Sequence, residues 1–213
     1  ENFEDIMLVL DRCIIKNTSA KAAVDIALHD LYGQLYNAPL YKLLGGYRKE
    51  IITDITISVN EPEKMAKDSI DAVKRGFDTL KIKVGKEAFK DIERMKAIRN
   101  AVGHDIKLRI DANQGWKPKE AVKILRRMEE ECLDVEFVEQ PVAAHDIAGL
   151  KLVTDNVSIP VLADESVFSP EDALRILQDR AADFINIKLM KTGGLHNALK
   201  ICSIAEIYGV ECM

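Results

Sequence analysis

An α/β fold, specifically a (β/α) barrel of the TIM type that is incomplete in these 213 residues, is predicted by three observations. Strand-like and helix-like patterns alternate from residue 49 onward, and a purely helical stretch precedes them over residues 1–48. The polar residues that close successive strands recur at a steady spacing. Strand–helix units in series build a parallel sheet with helices outside it.

The elements follow in chain order. Residues 8–44 are helical in pattern: Ser19 is the expected N-cap, Ala23, Ile26, Ala27 and Leu31 recur at helical spacing, and Pro39 and Gly45-Gly46 punctuate the end. Strands are predicted over residues 52–59, 79–84, 107–111, 135–139, 161–164 and 184–188. Helices are predicted between them, over 62–75, 88–102, 118–132, 146–154, 170–180 and 195–208. Ser169-Pro170-Glu171-Asp172 supplies an N-cap, a proline at the first helical position and acids in the first turn.

The polar residues near the strand ends are Thr56, Lys83, Asp111, Glu139, Asp164 and Lys188, at spacings of 27, 28, 28, 25 and 24 residues. One βα unit occupies about this length in an eight-fold barrel of ~250 residues. A further period from Lys188 reaches Met213, so strands one to six and the start of a seventh are expected here. Both ends read as cut, the first because the chain opens on Glu1 rather than Met. A doubly wound open sheet is the competing architecture, but its Gly-rich GxGxxG turn does not follow the first strand.

Composition narrows the function classes. Apolar residues make up 47% of the chain and charged residues 31%, which excludes a disordered tail and a collagen-like fibre. Thirty basic against thirty-five acidic residues give a net charge of −5 without a basic stripe, so no nucleic-acid partner is expected. No apolar run approaches the ~20 residues that span a bilayer, so no membrane partner is expected either. Cys13, Cys132, Cys202 and Cys212 are scattered and unpaired in spacing, which reads as reduced and mostly core cysteines of a cytoplasmic protein. A homo-oligomer that takes a small-molecule substrate is the expected state.

In Thr79-Leu80-Lys81-Ile82-Lys83-Val84 the lysines share one face of the strand and the aliphatic residues take the other. A solvated edge strand is the plain alternative. Inside a covered parallel sheet, however, two ammonium groups require opposite charge nearby, and Asp111, Glu139 and Asp164 close the next three strands. Each of these acids also has an ordinary explanation, as a turn or capping residue. Taken together, three carboxylates at one barrel mouth repel unless a cation sits among them. An all-oxygen set without His or Cys suits Mg²⁺ first and Mn²⁺ second.

Lys188 is again ionisable in an otherwise apolar strand. Strands two and six lie on opposite walls of an eight-stranded barrel, so Lys83 and Lys188 would flank a substrate from two sides. Abstraction of a proton next to a carboxylate loads negative charge onto the carboxylate oxygens, which a divalent cation and Lys81 would stabilise. Lys83 needs a depressed pKa to act as the base, and positive neighbours with desolvation push it that way. Removal on one face and return on the other inverts the stereocentre. Thr56, with Ser58 on its face, is a candidate hydrogen-bond donor to the substrate carboxylate. His29, His104, His145 and His196 read as surface or packing residues. Gly193-Gly194 reads as a helix start or a phosphate cradle, Trp116 as a cover or a packing residue, and Glu165 as a solvated group or a neighbour of the ligand set.

Lys81-Ile-Lys83, Asp111-Ala-Asn-Gln-Gly-Trp116, Glu139-Gln-Pro141, Asp164-Glu-Ser166 and Asn186-Ile-Lys188 together resemble the enolase superfamily, muconate-lactonizing-enzyme subgroup, over almost the whole chain. Residues 1–48, with the run from Ser19 to Leu31, resemble the helical part of its capping domain, leaving residues 49–213 as the partial barrel. Stretches 108–116, 163–168, 185–194 and 209–213 are similar to bacterial dipeptide epimerases of the L-Ala-D/L-Glu type. The resemblance implies Mg²⁺ bound by Asp111, Glu139 and Asp164, acid/base roles for Lys83 and Lys188, and substrate contacts from Lys81 and Thr56. It also implies a dipeptide substrate, selected by capping loops and an eighth-strand Asp-x-Asp pair that these residues do not include. Alternatives in the same scaffold are N-acylamino-acid racemase, o-succinylbenzoate synthase and cycloisomerase. Outside it stand a Schiff-base lyase and a non-catalytic fragment.

Overall fold

A computed structural model describes residues 2–48 and 50–213. Glu1 and Lys49 lie outside the described residues, and with Lys49 goes the expected boundary between 48 and 49. The chain forms two compact units. One comprises the residues up to Ile51 with Val167–Arg175 and Asn186–Met213, the other Ile52–Ser166 with Ile176–Ile185.

The first unit holds α1 (Phe3–Cys13), α2 (Thr18–Leu35) and α3 (Leu40–Leu43). The expected helical stretch is thus broken twice. Asn2 caps α1 by accepting from the Glu4 amide at 3.2 Å. The N-cap of α2 is Asn17, not Ser19: Asn17 sits in the left-handed region at φ 48°, after Lys16 at φ 57°. Asparagine tolerates that conformation, so the chain turns there and Ser19 falls inside the helix. Pro39 N-caps α3.

The second unit carries β1 (Ile55–Ile57), α4 (Pro62–Lys74), β2 (Thr79–Lys83), α5 (Ala88–Val102), β3 (Lys107–Asp111), α6 (Pro118–Glu130), β4 (Val135–Glu139), α7 (Ile147–Thr154), β5 (Val161–Ala163) and β6 (Phe184–Ile185). Its strands pair in sequence order and all in parallel. This is the strand–helix alternation that the sequence predicts for the (β/α) barrel class. Helix α8 (Pro170–Gln178) precedes β6, and the Ser169 hydroxyl caps it by accepting from the Asp172 amide at 3.2 Å.

β3 and β4 span the expected residues, whereas β1, β2, β5 and β6 are shorter than expected. The largest difference is in β6. Asn186, Ile187 and Lys188 leave the strand, and Lys188 is the N-cap of a short helix, α9 (Leu189–Thr192), that the sequence reading did not anticipate. After α9 come α10 (Leu195–Tyr208) and β7 (Glu211–Cys212), where Met213 O accepts from the Ile187 amide at 2.8 Å.

The core of the second unit lies between strands and helices. Leu80, Ile82, Leu108, Ile110, Val138 and Val161 are fully buried, as are Met65, Met95, Ile98, Leu125 and Met128 on the helices. Helix α6 shows why: Ala121, Ile124, Leu125 and Met128 are its buried residues, at i, i+3, i+4 and i+7. Each fully buried Leu, Ile or Met contributes about 1.5–3 kcal/mol.

The expectation of mostly core cysteines is not met, since all four are exposed. Cys13 ends α1, Cys132 takes a left-handed turn after α6 at φ 52°, Cys202 lies in α10, and Cys212 lies in β7. Among the described residues, no helix is long and apolar enough to cross a membrane.

Candidate active site

Alternation within β2 sorts its side chains. Leu80 and Ile82 are fully buried, while Lys81 and Lys83 point to the opposite face, 14% and 30% exposed. β2 runs between β1 and β3, so the solvated-edge reading of its lysines does not hold. Register then stacks the polar residues. Thr56 partners Lys81, which partners Arg109; Lys83 partners Asp111, which partners Glu139. Glu139 in turn partners Leu162, two residues before Asp164 and hence on the same face.

Asp111, Glu139 and Asp164 are each 0% exposed. The Lys81 ammonium lies 2.9 Å from Asp111 Oδ2 and 2.5 Å from Glu139 Oε2. Lys83 Nζ donates to Asp111 Oδ2 at 2.7 Å and to Asn113 Oδ1 at 2.6 Å. Burial and the neighbouring Asp111 charge push the Glu139 carboxyl above the usual carboxylate range; Lys81 opposes the shift and Asp164 adds to it. Burial pulls the Lys81 ammonium down, but its hydrogen bonds to Glu139 and Asp111 outweigh this and raise it. Beside Lys83 opens a cavity of about 430 Å³, whose lining includes Ser58, Val84, Ala112, Asn113 and Gly115.

The loops after the strands are held by side chains that the sequence reading passed over. Asn113 (φ 42°), Gln114 (φ 65°) and Gln140 (φ 37°) all adopt left-handed backbone. The Asn113 amide donates to Asp111 Oδ1 at 2.9 Å, fixing the carboxylate that Lys83 meets. Gln140 Oε1 accepts from the Asp164 amide at 2.9 Å and the Ser166 amide at 3.2 Å, and its Nε2 donates to Val142 O and Ser166 Oγ. Arg109, two residues before Asp111 and on its face, pairs with Asp54 at 3.0 Å and Glu136 at 2.6 Å. The signals that could have found them are the turn-favouring residues of 111–116 for Asn113 and the i, i+2 spacing to Asp111 for Arg109. Gln140 enters the sequence reading only inside the Glu139-Gln-Pro141 run, where nothing local points to its contacts.

Lys188 caps α9 through its backbone, where its carbonyl accepts from the Lys191 amide at 2.8 Å, and its side chain is exposed. It belongs to the first unit, the other predicted site residues to the second. The structure therefore brings together Lys81, Lys83, Asp111 and Glu139, with the charge of Asp164 felt at Glu139, and places Thr56 beside Lys81 in register.

The other candidates take packing or surface positions. Trp116 is buried and donates its indole N–H to Asp91 at 3.3 Å. Glu165 accepts from Asn113 Nδ2 at 3.3 Å. His29 is buried with Nδ1 2.9 Å from Asp25 O, while His104 and His145 are exposed. The Gly193-Gly194 turn before α10 does not cradle a phosphate. Asp25 fills that position, accepting from the Leu195 amide at 2.6 Å and the His196 amide at 3.2 Å.

The donor set suits a hard divalent cation, since it is all oxygen, fully buried and mutually repelling at Glu139. As the side chains stand, the Lys81 ammonium meets two of these carboxylates, and among the described residues no three His, Cys, Asp or Glu side chains form a ready metal shell. Chemically, the arrangement sets two lysine amines against buried carboxylates at the ends of successive strands.

Residues 64–213 match the family described as enolase C-terminal domain-like, and residues 1–45 match the mandelate racemase/muconate lactonizing enzyme N-terminal domain. An L-Ala-D/L-Glu epimerase of Clostridium acetobutylicum is 67% identical over 213 residues, covering 100% of this chain and 60% of that protein. A substrate-liganded structure of the L-Ala-D/L-Glu epimerase from Bacillus subtilis is 54% identical with a TM-score of 0.98, covering 100% of this chain and 59% of the other. The dipeptide epimerase of Enterococcus faecalis V583, complexed with Mg and the dipeptide L-Leu-L-Tyr, is 53% identical with a TM-score of 0.95, covering 99% of this chain and 59% of the other. The chain spans about 60% of the length of the curated relatives it matches.

Proposed function

The chain belongs to the enolase superfamily, in its mandelate racemase/muconate lactonizing enzyme branch, and from that premise we propose that it is the catalytic portion of a Mg²⁺-dependent dipeptide epimerase. Residues 1–48 are then the helical remainder of a capping domain, and residues 49–213 the part of the barrel that carries the chemistry. The observation that carries the reading is the Lys83 ammonium at 2.7 Å from Asp111 Oδ2, beside three fully buried carboxylates at the ends of successive strands. The substrate is a dipeptide such as L-Ala-D/L-Glu, the class that the relatives' names carry.

In this reading Asp111, Glu139 and Asp164 hold Mg²⁺; Mn²⁺ suits the same oxygen set. The cation supplies positive charge opposite the oxygens on which charge accumulates when the α-proton leaves. Lys81 adds a second positive charge at the same place, and Thr56 donates to the substrate carboxylate. Lys83 takes the α-proton on one face of the substrate, and Lys188 returns one on the other. Asn113 and Asp111 orient Lys83 Nζ through its two hydrogen bonds.

The test uses the full-length protein in D₂O with single dipeptide epimers, followed by NMR with and without EDTA. Deuterium is expected to enter the α-position as the other epimer accumulates, and EDTA stops both. Lys83→Ala and Lys188→Ala should each lower epimerisation by ~10²–10⁴-fold. Full turnover in either variant contradicts the two-base scheme, and a dehydrated or lactonised product would assign the chain to another chemistry of the superfamily.

A further inference from the structure

Asp91 lies in the first turn of α5, where it is 0% exposed, with Arg94 beside it at 3%. Its two oxygens are divided between three donors. Oδ2 accepts from the Gly85 amide at 2.8 Å and from the Trp116 indole at 3.3 Å, while Oδ1 accepts from Arg94 Nη1 at 2.7 Å. Arg94 Nε then donates to Asn60 O at 2.8 Å. Asn60 follows β1, Gly85 follows β2 two residues after Lys83, and Trp116 ends the loop that begins at Asp111. One buried ion pair on a helix therefore ties the loops of three successive strands.

The two nearer loops also interlock through backbone. A Cβ on Gly85, whose φ is +97°, would stand 2.2 Å from Ala112 O, and a Cβ on Gly115 would stand 2.2 Å from Gly85 O. Lys83 Nζ meets Asp111 Oδ2 and Asn113 Oδ1, so its position is set by where the β3 loop sits against the β2 loop. A buried ion pair is a costly way to hold a helix in place, since apolar residues of similar volume often do as well or better. Asp91 is not the N-cap of α5 either, as that position is Glu87.

We infer that Asp91 is a positioning residue for Lys83: by joining Gly85 to Trp116, its carboxylate fixes where the Lys83 amine stands against Asp111. This rests on the acid/base role proposed above for Lys83. It adds a named part to that site, outside the carboxylate set and the two lysines. A misplacement of about 1 Å far from the chemistry is enough to cost ~10²-fold in rate.

The experiment compares Asp91→Asn with the unaltered full-length enzyme, measuring α-proton exchange into D₂O separately from each epimer of one dipeptide. The epimer whose exchange Lys83→Ala abolishes identifies the face that Lys83 serves. In Asp91→Asn, exchange from that epimer is expected to fall ~10–100-fold at unchanged KM, and exchange from the other epimer less than threefold. Equal slowing of both epimers means a general structural role and overturns the proposal, as does no slowing of either. Trp116→Phe, which removes only the indole donor, should show the same asymmetry to a smaller degree, and it decides the matter if Asp91→Asn does not fold. If the unaltered enzyme exchanges no dipeptide proton, the proposed function falls instead, and the Gly85 amide decides the tie. Its hydrogen exchange is expected to be at least tenfold faster in Asp91→Asn, and an unchanged rate overturns the inference.

Discussion

Lys81 on β2 and Glu139 on β4 meet at 2.5 Å, across the strand that lies between them. The same ammonium is 2.9 Å from Asp111 Oδ2, so one cation serves two carboxylates that are themselves register partners. In this arrangement Lys81 occupies oxygens of two of the three carboxylates proposed above to hold Mg²⁺.

Competition for those oxygens makes the first prediction. Lys81→Met should destabilise the full-length protein without divalent cation by ~3–5 kcal/mol, the usual cost of removing one partner from buried charges. Added Mg²⁺ should then raise the melting temperature of the variant more than that of the unaltered protein, because binding stabilises the folded state by mass action. Thermal denaturation across a MgCl₂ series checks this. Equal shifts in both proteins would mean that Lys81 and the cation do not share ligands.

Asp25 provides a second, independent prediction in the other unit. Its carboxylate takes the first two amides of α10, and Gly194 leaves room for it, since a Cβ there would lie 2.3 Å from Asp25 Cγ. Asp25 Oδ1 is also 3.1 Å from His29 Nδ1. Asp25→Ala leaves two amides without their acceptor, at about 1–3 kcal/mol for each buried group so orphaned. Asp25→Asn retains acceptor oxygen and should lose less. Chemical denaturation midpoints of the two variants decide the order.

These contacts mark how much of the molecule can be read along the chain. The strand period placed Lys83, Asp111, Glu139 and Asp164 at strand ends because each side chain's direction is set by local alternation, and β3 and β4 were found over the expected residues. Asp25 was not legible, because its partners lie 170 and 171 residues away. Gln140 escaped for the same reason, since its contacts reach 24 and 26 residues ahead. Local propensity misplaced the start of α2, because Ser19 is the better cap in isolation while left-handed backbone at Asn17 turns the chain two residues earlier. The strand that was to carry Lys188 ended at Ile185 because α9 begins immediately after Lys188, a four-residue helix too short to leave a periodic signal.

Gly85→Ala tests the interlocked loops. At φ +97° any side chain is strained, and the added Cβ would press on Ala112 O at 2.2 Å. Backbone held in such a region costs ~1–3 kcal/mol before the clash is counted. Gly76→Ala is the matching control, with φ +95° and nothing within 4 Å of the new Cβ. Both variants carry similar strain, so the excess loss in Gly85→Ala, read from denaturation midpoints, measures the contact between the loops. The excess should be accompanied by slower turnover in Gly85→Ala alone.

Gln140 offers the last prediction, and it separates holding a ligand from being one. Its Oε1 is shared by the Asp164 and Ser166 amides, and its Nε2 by Val142 O and Ser166 Oγ, so it fixes the backbone from which Asp164 projects without being one of the proposed cation ligands. Gln140→Leu fills similar space while removing all four contacts. Loss of such an outer partner typically lowers metal affinity 10–100-fold, and Mg²⁺ titration calorimetry of the full-length variant should show a Kd raised by that factor. Gln114→Ala removes one contact, to the Ala144 amide at an exposed position, and should leave the Kd within about threefold because outer-partner effects depend on bearing directly on a ligand. If the two variants bind Mg²⁺ alike, Gln140 holds the loop but not the ligand, and Asp164 keeps its place through β5 alone.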